Sequence, residues 1–172
     1  MAELTTKDRL QPSLLDRLTD DEPDQPQESR EKRVLSMNRL RECVLRDLAW
    51  LLNTARLPSH QAIEHYPFAA RSVINYGLPP LSGTLASSLD VHELENILTQ
   101  VIEDFEPRIL RGTVRVQVIL TRELMSHNTL TFVISGNLWA QPLPLQLYLK
   151  TEFDLESGQV KVEEADHPTS MS

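Results

Sequence analysis

Aromatic side chains are scarce in this 172-residue chain: Phe, Trp and Tyr together make up 5%. A core built from such a sequence has to be mostly Leu, Ile and Val. Cysteine is nearly absent as well. Cys43 stands alone, which excludes an intrachain disulfide and suits a reducing compartment. The five glycines, at 77, 83, 112, 136 and 158, never cluster. They read as isolated turn residues, and no GxGxxG, Walker, GxSxG or HExxH pattern occurs. His60, His65, His92, His127 and His167 show no ligand spacing. No cofactor or metal is therefore expected, and Cys43 with scattered histidines makes no nucleophilic pair.

Basic charge is short: 17 Lys and Arg stand against 25 Asp and Glu, a net charge of -8. That argues against a general nucleic-acid binder, which needs a basic footprint. Long apolar runs are missing too. The most apolar stretch, "CVLRDLAWLLNTARL", carries Arg46, Asp47 and Arg56 and is too short and too charged to span a bilayer. The opening "MAELTTKDRLQPSLLDRL" has no apolar core of signal-peptide length. A cytoplasmic protein with no direct membrane insertion is expected.

What is present divides the chain. Residues 1–30 read as a tail, broken by Pro12, Pro23 and Pro26 and acidic at "DDEPDQPQE". One island, 12–18, places Leu14, Leu15 and Leu18 on one face of a helical turn. It is either part of a flexible leader or a short docking helix for a partner. A first long helix is expected over 31–56, with Met37, Leu40, Val44, Leu48 and Leu51 at the helical period and Pro58 as its stop. Cys43 abuts that stripe and suits packing. A short piece through 61–66 stops at Pro67. About two turns follow over 68–75, with Gly77 placed after their end. "YGLPPLSGT" is irregular. Asp90 and Glu93 then form a capping box, with Leu89 and Leu94 as its hydrophobic staple. The helix they open ends at Pro107, which forces Glu106 out of helical geometry.

From residue 113 the apolar period falls from 3.6 to 2. Strands are expected around Val114–Leu120, Leu130–Ile134 and Leu143–Leu149, with a weaker one at Val160 and Val162 after the turn "ESGQ". Helices over 31–110 followed by a sheet over 113–163 give an α+β fold, with N-terminal helices packed on one face of a small, mainly antiparallel C-terminal sheet. One domain, 31–165, is expected, and 166–172 read as a frayed tail. Pro142 and Pro144 suggest that their strand starts at a sheet edge or a bulge.

Glu103, Asp104 and Glu106 cluster at the helix exit. A glycosidase needs two carboxylates across a cleft, one with a raised pKa. Arg108 beside Glu106 favours the ionised form instead, which suits a salt bridge. For Glu106-Pro107-Arg108 two readings stay open. It is a local ion pair that fixes the helix-to-strand corner, or an interface clamp whose guanidinium fork meets a partner. Arg108→Ala is expected to harm assembly more than folding.

The order "SLLDRL", "LRECVLRDLAWLLNTARL", "ARSVINYGLPPLSG", "FEPRI" and then an alternating run resembles the TssE family of baseplate wedge subunits of type VI secretion systems. That family is in turn similar to the small wedge protein of contractile-tailed phage baseplates. The resemblance covers about residues 10–163. It implies a non-enzymatic structural protein, cytoplasmic and within the membrane-docked baseplate. The implied partners are TssF, TssG and TssK, and the TssB–TssC sheath, whose polymerisation it would initiate. Glu106, Pro107 and Arg108 would contact the wedge core, and Arg71, Asn75 and Tyr76 are further candidate contacts. Two other functions fit less of the sequence. A peptidoglycan hydrolase rests on the carboxylates near Phe105 alone. A generic adaptor rests on Leu14, Leu15 and Leu18.

Overall fold

A computed structural model describes residues 13–19, 24, 37–57, 63–80, 90–119, 129–139 and 144–165, without the side chains of Arg17 and Glu64. The expected Pro58 stop, the Leu89 staple, Leu120, Pro142, Leu143 and the 166–172 tail lie outside those residues.

The described elements are α1 (Leu14–Leu18), α2 (Met37–Leu52), α3 (Pro67–Ala70) and α4 (Val91–Phe105), then β1 (Arg115–Ile119), β2 (Thr129–Leu138), β3 (Leu145–Asp154) and β4 (Val160–Glu164). Two 3-10 turns, Ile63–His65 and Val73–Asn75, flank α3. The fold is α+β. The sheet is antiparallel throughout, in the order β1-β2-β3-β4.

Its core face follows from period-2 alternation. Val116 pairs with Ile134, Leu147 with Gly136, Leu149 with Ile134 and Phe153 with Leu130. Against this face α2 lays Leu40, Val44, Leu48, Leu51 and Leu52, and α4 lays Leu94, Leu98, Val101 and Ile102. The core is aliphatic apart from Phe132 and Phe153, as the low aromatic content requires. The opposite face carries a charge lattice. Lys150 pairs with Glu152 and Lys161 with Glu163, and the register sets each lysine opposite a glutamate of the next strand.

Local chemistry sets most boundaries. Asp90 Oδ1 accepts from the His92 and Glu93 amides and starts α4. Pro67 starts α3 as well as ending the preceding turn.

Three expectations need correction. α2 stops at Leu52, well before Pro58, because Asn53 and Thr54 turn back on it. Asn53 Nδ2 donates to the Ala49 carbonyl and Thr54 Oγ1 to the Trp50 carbonyl. The chain then runs extended, so that Ala55 bridges to Leu78 in parallel. The two turns expected over 68–75 are interrupted, because Ser72 leaves helical geometry and its hydroxyl accepts from the Ile74 amide. β3 is an interior strand, flanked by β2 and β4. Pro144 precedes its first residue, where a missing N–H costs no ladder bond.

Candidate functional site

Pro107 breaks α4, and the chain turns at once into the sheet. Glu106 closes the helix through its N–H to the Ile102 carbonyl (2.9 Å). Ile109 is buried and bridges to Leu138. The Trp139 amide donates to the Arg108 carbonyl (2.7 Å), and the Leu110 amide to the Asn137 carbonyl (2.8 Å). Glu106 and Arg108 are thus fixed between a helix end and a strand.

Their side chains form one end of a charged junction. Arg108 donates to both Glu106 oxygens, at 2.7 Å from Nε and 2.6 Å from Nη2. Its Nη2 also lies 2.6 Å from Asp47 Oδ2 on α2. Asp47 Oδ1 in turn accepts from Arg46 Nε at 2.9 Å. Arg46 Nη2 reaches Asp16 Oδ1 on α1 at 2.7 Å. Arg108 Nη1 lies 4.0 Å from Asp16 Oδ2 and is buried with no hydrogen-bond partner among the described residues. Glu106 is only 3% exposed. Three carboxylates and two guanidinium groups therefore join three separate stretches of chain. Burial disfavours the Arg108 cation, but the hydrogen bonds and charges of Glu106 and Asp47 outweigh it and raise the pKa further above the ordinary arginine value.

α1 is attached to the domain through this junction. Ser13 and Asp16 form a reciprocal capping box, so one carboxylate both caps the helix and ties it down. The Asp16 side chain is 5% exposed. Burial pushes its pKa up, but hydrogen bonds from Ser13, Arg46 and Cys43 bring it down to about 2. The Cys43 thiol is pushed up to about 11 by burial and by Asp16, which leaves it protonated and inert at neutral pH. Leu14 and Leu18 face outward at 72% and 74% exposure, Leu15 is also exposed, and none of the three joins the core cluster. The helix is held by its polar side and shows its apolar side to solvent.

Acid should therefore loosen α1. A carboxylate with a lowered folded-state pKa adds stability that is full above its unfolded value, 3.8, and is lost as pH falls through about 2. The linkage is worth about 2 kcal/mol. An NMR titration should place the Asp16 carboxyl midpoint near 2, with α1 amide shifts following it. A midpoint at the ordinary aspartate value would mean that α1 is not held by Asp16.

The other candidates are scattered. Pro107 is exposed beside the junction. Tyr76 packs its ring on Phe105, with centroids 5.3 Å apart at 74°, and its hydroxyl donates to the Asp47 carbonyl at 3.4 Å. Burial, then Asp47 and Glu106, push its pKa up. Asn75 is buried, and its Nδ2 donates to the Ala70 carbonyl. Arg71 is paired with Asp104 at 2.8 Å, away from the junction. Glu103 accepts from the Gly112 amide at 2.7 Å. All three carboxylates of the helix exit are thus engaged, Glu103 and Glu106 within the corner and Asp104 with the α3 segment.

Sequence reading missed Asp16, Arg46 and Asp47 as junction members, because their partners lie 30 and 61 residues away. It also missed an exposed apolar group on the α3 segment. Phe68 is 92% exposed, and Tyr66, Val73 and Ile74 are exposed beside it. The available signal was apolar residues in a proline-bounded stretch with no helical stripe to bury them. Trp50 is half exposed under the Arg46 guanidinium (5.1 Å), at the surface end of the stripe.

Three sequence stretches meet at this site. "LLNTARL" ends α2, "SVINYGLP" crosses it at the Ala55–Leu78 bridge, and "FEPRI" receives Tyr76 on Phe105. A charged corner thus ties α1 and α2 to the turn between α4 and the sheet of this α+β domain, and apolar side chains are left at its surface. The family model "Baseplate wedge protein gp25" matches residues 38–143, more than half of the chain, and the chain belongs to that family. It is a structural component of a baseplate. No curated protein and no solved structure matches the chain. The matched span contains Arg46, Asp47 and Glu106–Arg108 but neither Asp16 nor any of the β3–β4 hairpin. Among the described residues, no helix is long and apolar enough to cross a membrane.

Proposed function

We propose that this chain is the small wedge subunit of a type VI secretion baseplate. It joins a wedge built with TssF, TssG and TssK in the cytoplasm, at the membrane-docked baseplate. Its sheet serves as the platform on which the TssB–TssC sheath begins. The role is non-enzymatic. The observation that carries this reading is the meeting of "LLNTARL", "SVINYGLP" and "FEPRI" around Tyr76: the stretches that resemble the wedge family also build one junction.

Residues exposed near that junction are the proposed wedge contacts: Pro107, and the outward leucines Leu14, Leu15 and Leu18. Glu106 and Arg108 act in it by holding Pro107 and α1 in place. Arg71, Asn75 and Tyr76 support the α3 segment, whose apolar side chains offer a second contact face.

Tagged protein co-expressed with TssF, TssG and TssK should retain the three subunits on affinity resin. Leu14→Ser with Leu18→Ser should cut that capture about tenfold, the scale of an interface anchor, without changing the circular dichroism spectrum. Absence of capture by the wild-type chain would overturn the reading. Full capture by the double variant would remove α1 from the interface.

A further inference from the structure

An open antiparallel sheet has two edges, and each is a template for another strand. Here both are partly filled by side chains of the helix beside them, and the filling is unequal.

On β4, the Asp154 amide donates to the Gln159 carbonyl and the Ala165 amide to the Tyr148 carbonyl, both at 2.9 Å. Residues 159 and 165 therefore bond inward to β3. Because antiparallel pairing alternates, Val160, Val162 and Glu164 turn their N–H and C=O outward. The outward groups of Val160 are already taken. Its N–H donates to Asn53 Oδ1 at 2.9 Å, and its carbonyl accepts from Asn53 Nδ2 at 2.8 Å. The second Nδ2 hydrogen goes to the Ala49 carbonyl at 2.8 Å, which engages both donors of the amide. Asn53 thus bonds to Val160 as a residue of a neighbouring strand would. The Glu164 carboxylate is drawn toward Arg41 on α2 at 3.5 Å.

On β1 the filling runs the length of the edge. Glu103 takes the Gly112 amide at 2.7 Å, Arg115 Nη1 takes the Val114 carbonyl at 2.8 Å, and Glu95 takes the outward Val118 amide at 2.9 Å. Val116 lies between filled positions. A strand added to β1 would have to expel two carboxylates of α4. Among the described residues, a strand added to β4 meets one closed position and then two consecutive open ones.

We propose that β4 is the acceptor edge and that Asn53 sets the register of strand addition. An extended strand of a partner subunit pairs with Val162 and Glu164 and is stopped at Val160. This rests on the sheath-platform reading above and adds to it an edge, a register and the residue that enforces them.

The test is amide hydrogen exchange by NMR on the full chain, free and with the TssB–TssC pair. In the free protein the Val160 amide should exchange at least about tenfold more slowly than those of Val162 and Glu164. Asn53→Ala should abolish that difference. With the sheath pair, Val162 and Glu164 should gain about tenfold protection or more, and Val116 none. A Val160 amide as fast as its neighbours in the free wild-type chain would overturn the closure by Asn53. Protection gained at Val116 instead would overturn the choice of edge. No gain anywhere would remove the sheath-platform reading and the acceptor edge with it, while the free-protein rates would still decide whether Asn53 closes Val160.

Discussion

Arg108→Ala is expected to destabilise the free protein by about 3–5 kcal/mol, because it breaks a buried ion pair from one side only. Arg108 holds both oxygens of Glu106, which is 3% exposed, and Asp47 on another helix. Removing it leaves two acids facing each other with Arg46 as the remaining cation of the junction. The Arg108 side chain is 21% exposed, so water will moderate the effect toward the lower end of that range. For a domain of this size the melting temperature should fall by about 10 °C. The geometry argues against the expectation drawn from sequence, in which Arg108→Ala harmed assembly more than folding.

The two ends of the pair should not be equivalent. Glu106→Gln removes one acid but leaves Arg108 with Asp47, so its cost should be clearly smaller. The Glu106→Gln, Arg108→Ala double variant should cost less than the sum of the two, because Glu106→Gln removes the buried charge that Arg108→Ala strands. Thermal denaturation of the three variants with wild type reads this directly. A single Arg108→Ala variant that melts with wild type would show that the junction does not stabilise the fold.

How far the sequence foretold this structure depends on the range of the interaction involved. α4 was legible at both ends because its signals are local: Asp90 bonds two residues on, and Pro107 cannot continue a helix. The sheet was legible because alternation at Val114, Val116 and Val118 or at Leu145, Leu147 and Leu149 is a property of the strand alone. Pairing order was not, so Pro144 suggested an edge or a bulge, and the chain makes an interior strand rather than an edge. The end of α2 was misjudged for a similar reason. Pro58 is a strong stop signal, but Asn53 finds partners at Val160, 107 residues away, that no local pattern announces. At the junction, Glu106 and Arg108 were visible as a pair two residues apart. Asp47 and Asp16 were not, and they turn a local pair into a brace across three elements.

Gly77→Ala is expected to cost roughly 3 kcal/mol or more, and Gly112→Ala only about 1 kcal/mol. Both glycines sit in the left-handed region, at φ 115° and 76°, so both substitutions carry the strain that a Cβ brings there. They differ in what the Cβ would meet. At Gly112 nothing lies within 4 Å among the described residues. At Gly77 it would overlap the Thr54 carbonyl oxygen and stand 2.7 Å from its carbon, both backbone atoms. Those atoms cannot swing aside as a side chain would. The Leu78 amide donates to that same Thr54 carbonyl at 2.7 Å, and the Arg56 amide to the Leu78 carbonyl at 2.8 Å. Relief of the overlap would have to part the 54–56 segment from Leu78, which is buried in the core. It would also shift Tyr76 off Phe105 and off the Asp47 carbonyl, loosening the charged junction from a distance. Chemical denaturation of the matched pair separates the close approach from the backbone strain. If Gly77→Ala proves no worse than Gly112→Ala, the crossing of residues 54–56 and 76–78 is not the tight contact that fixes the α3 segment to α2.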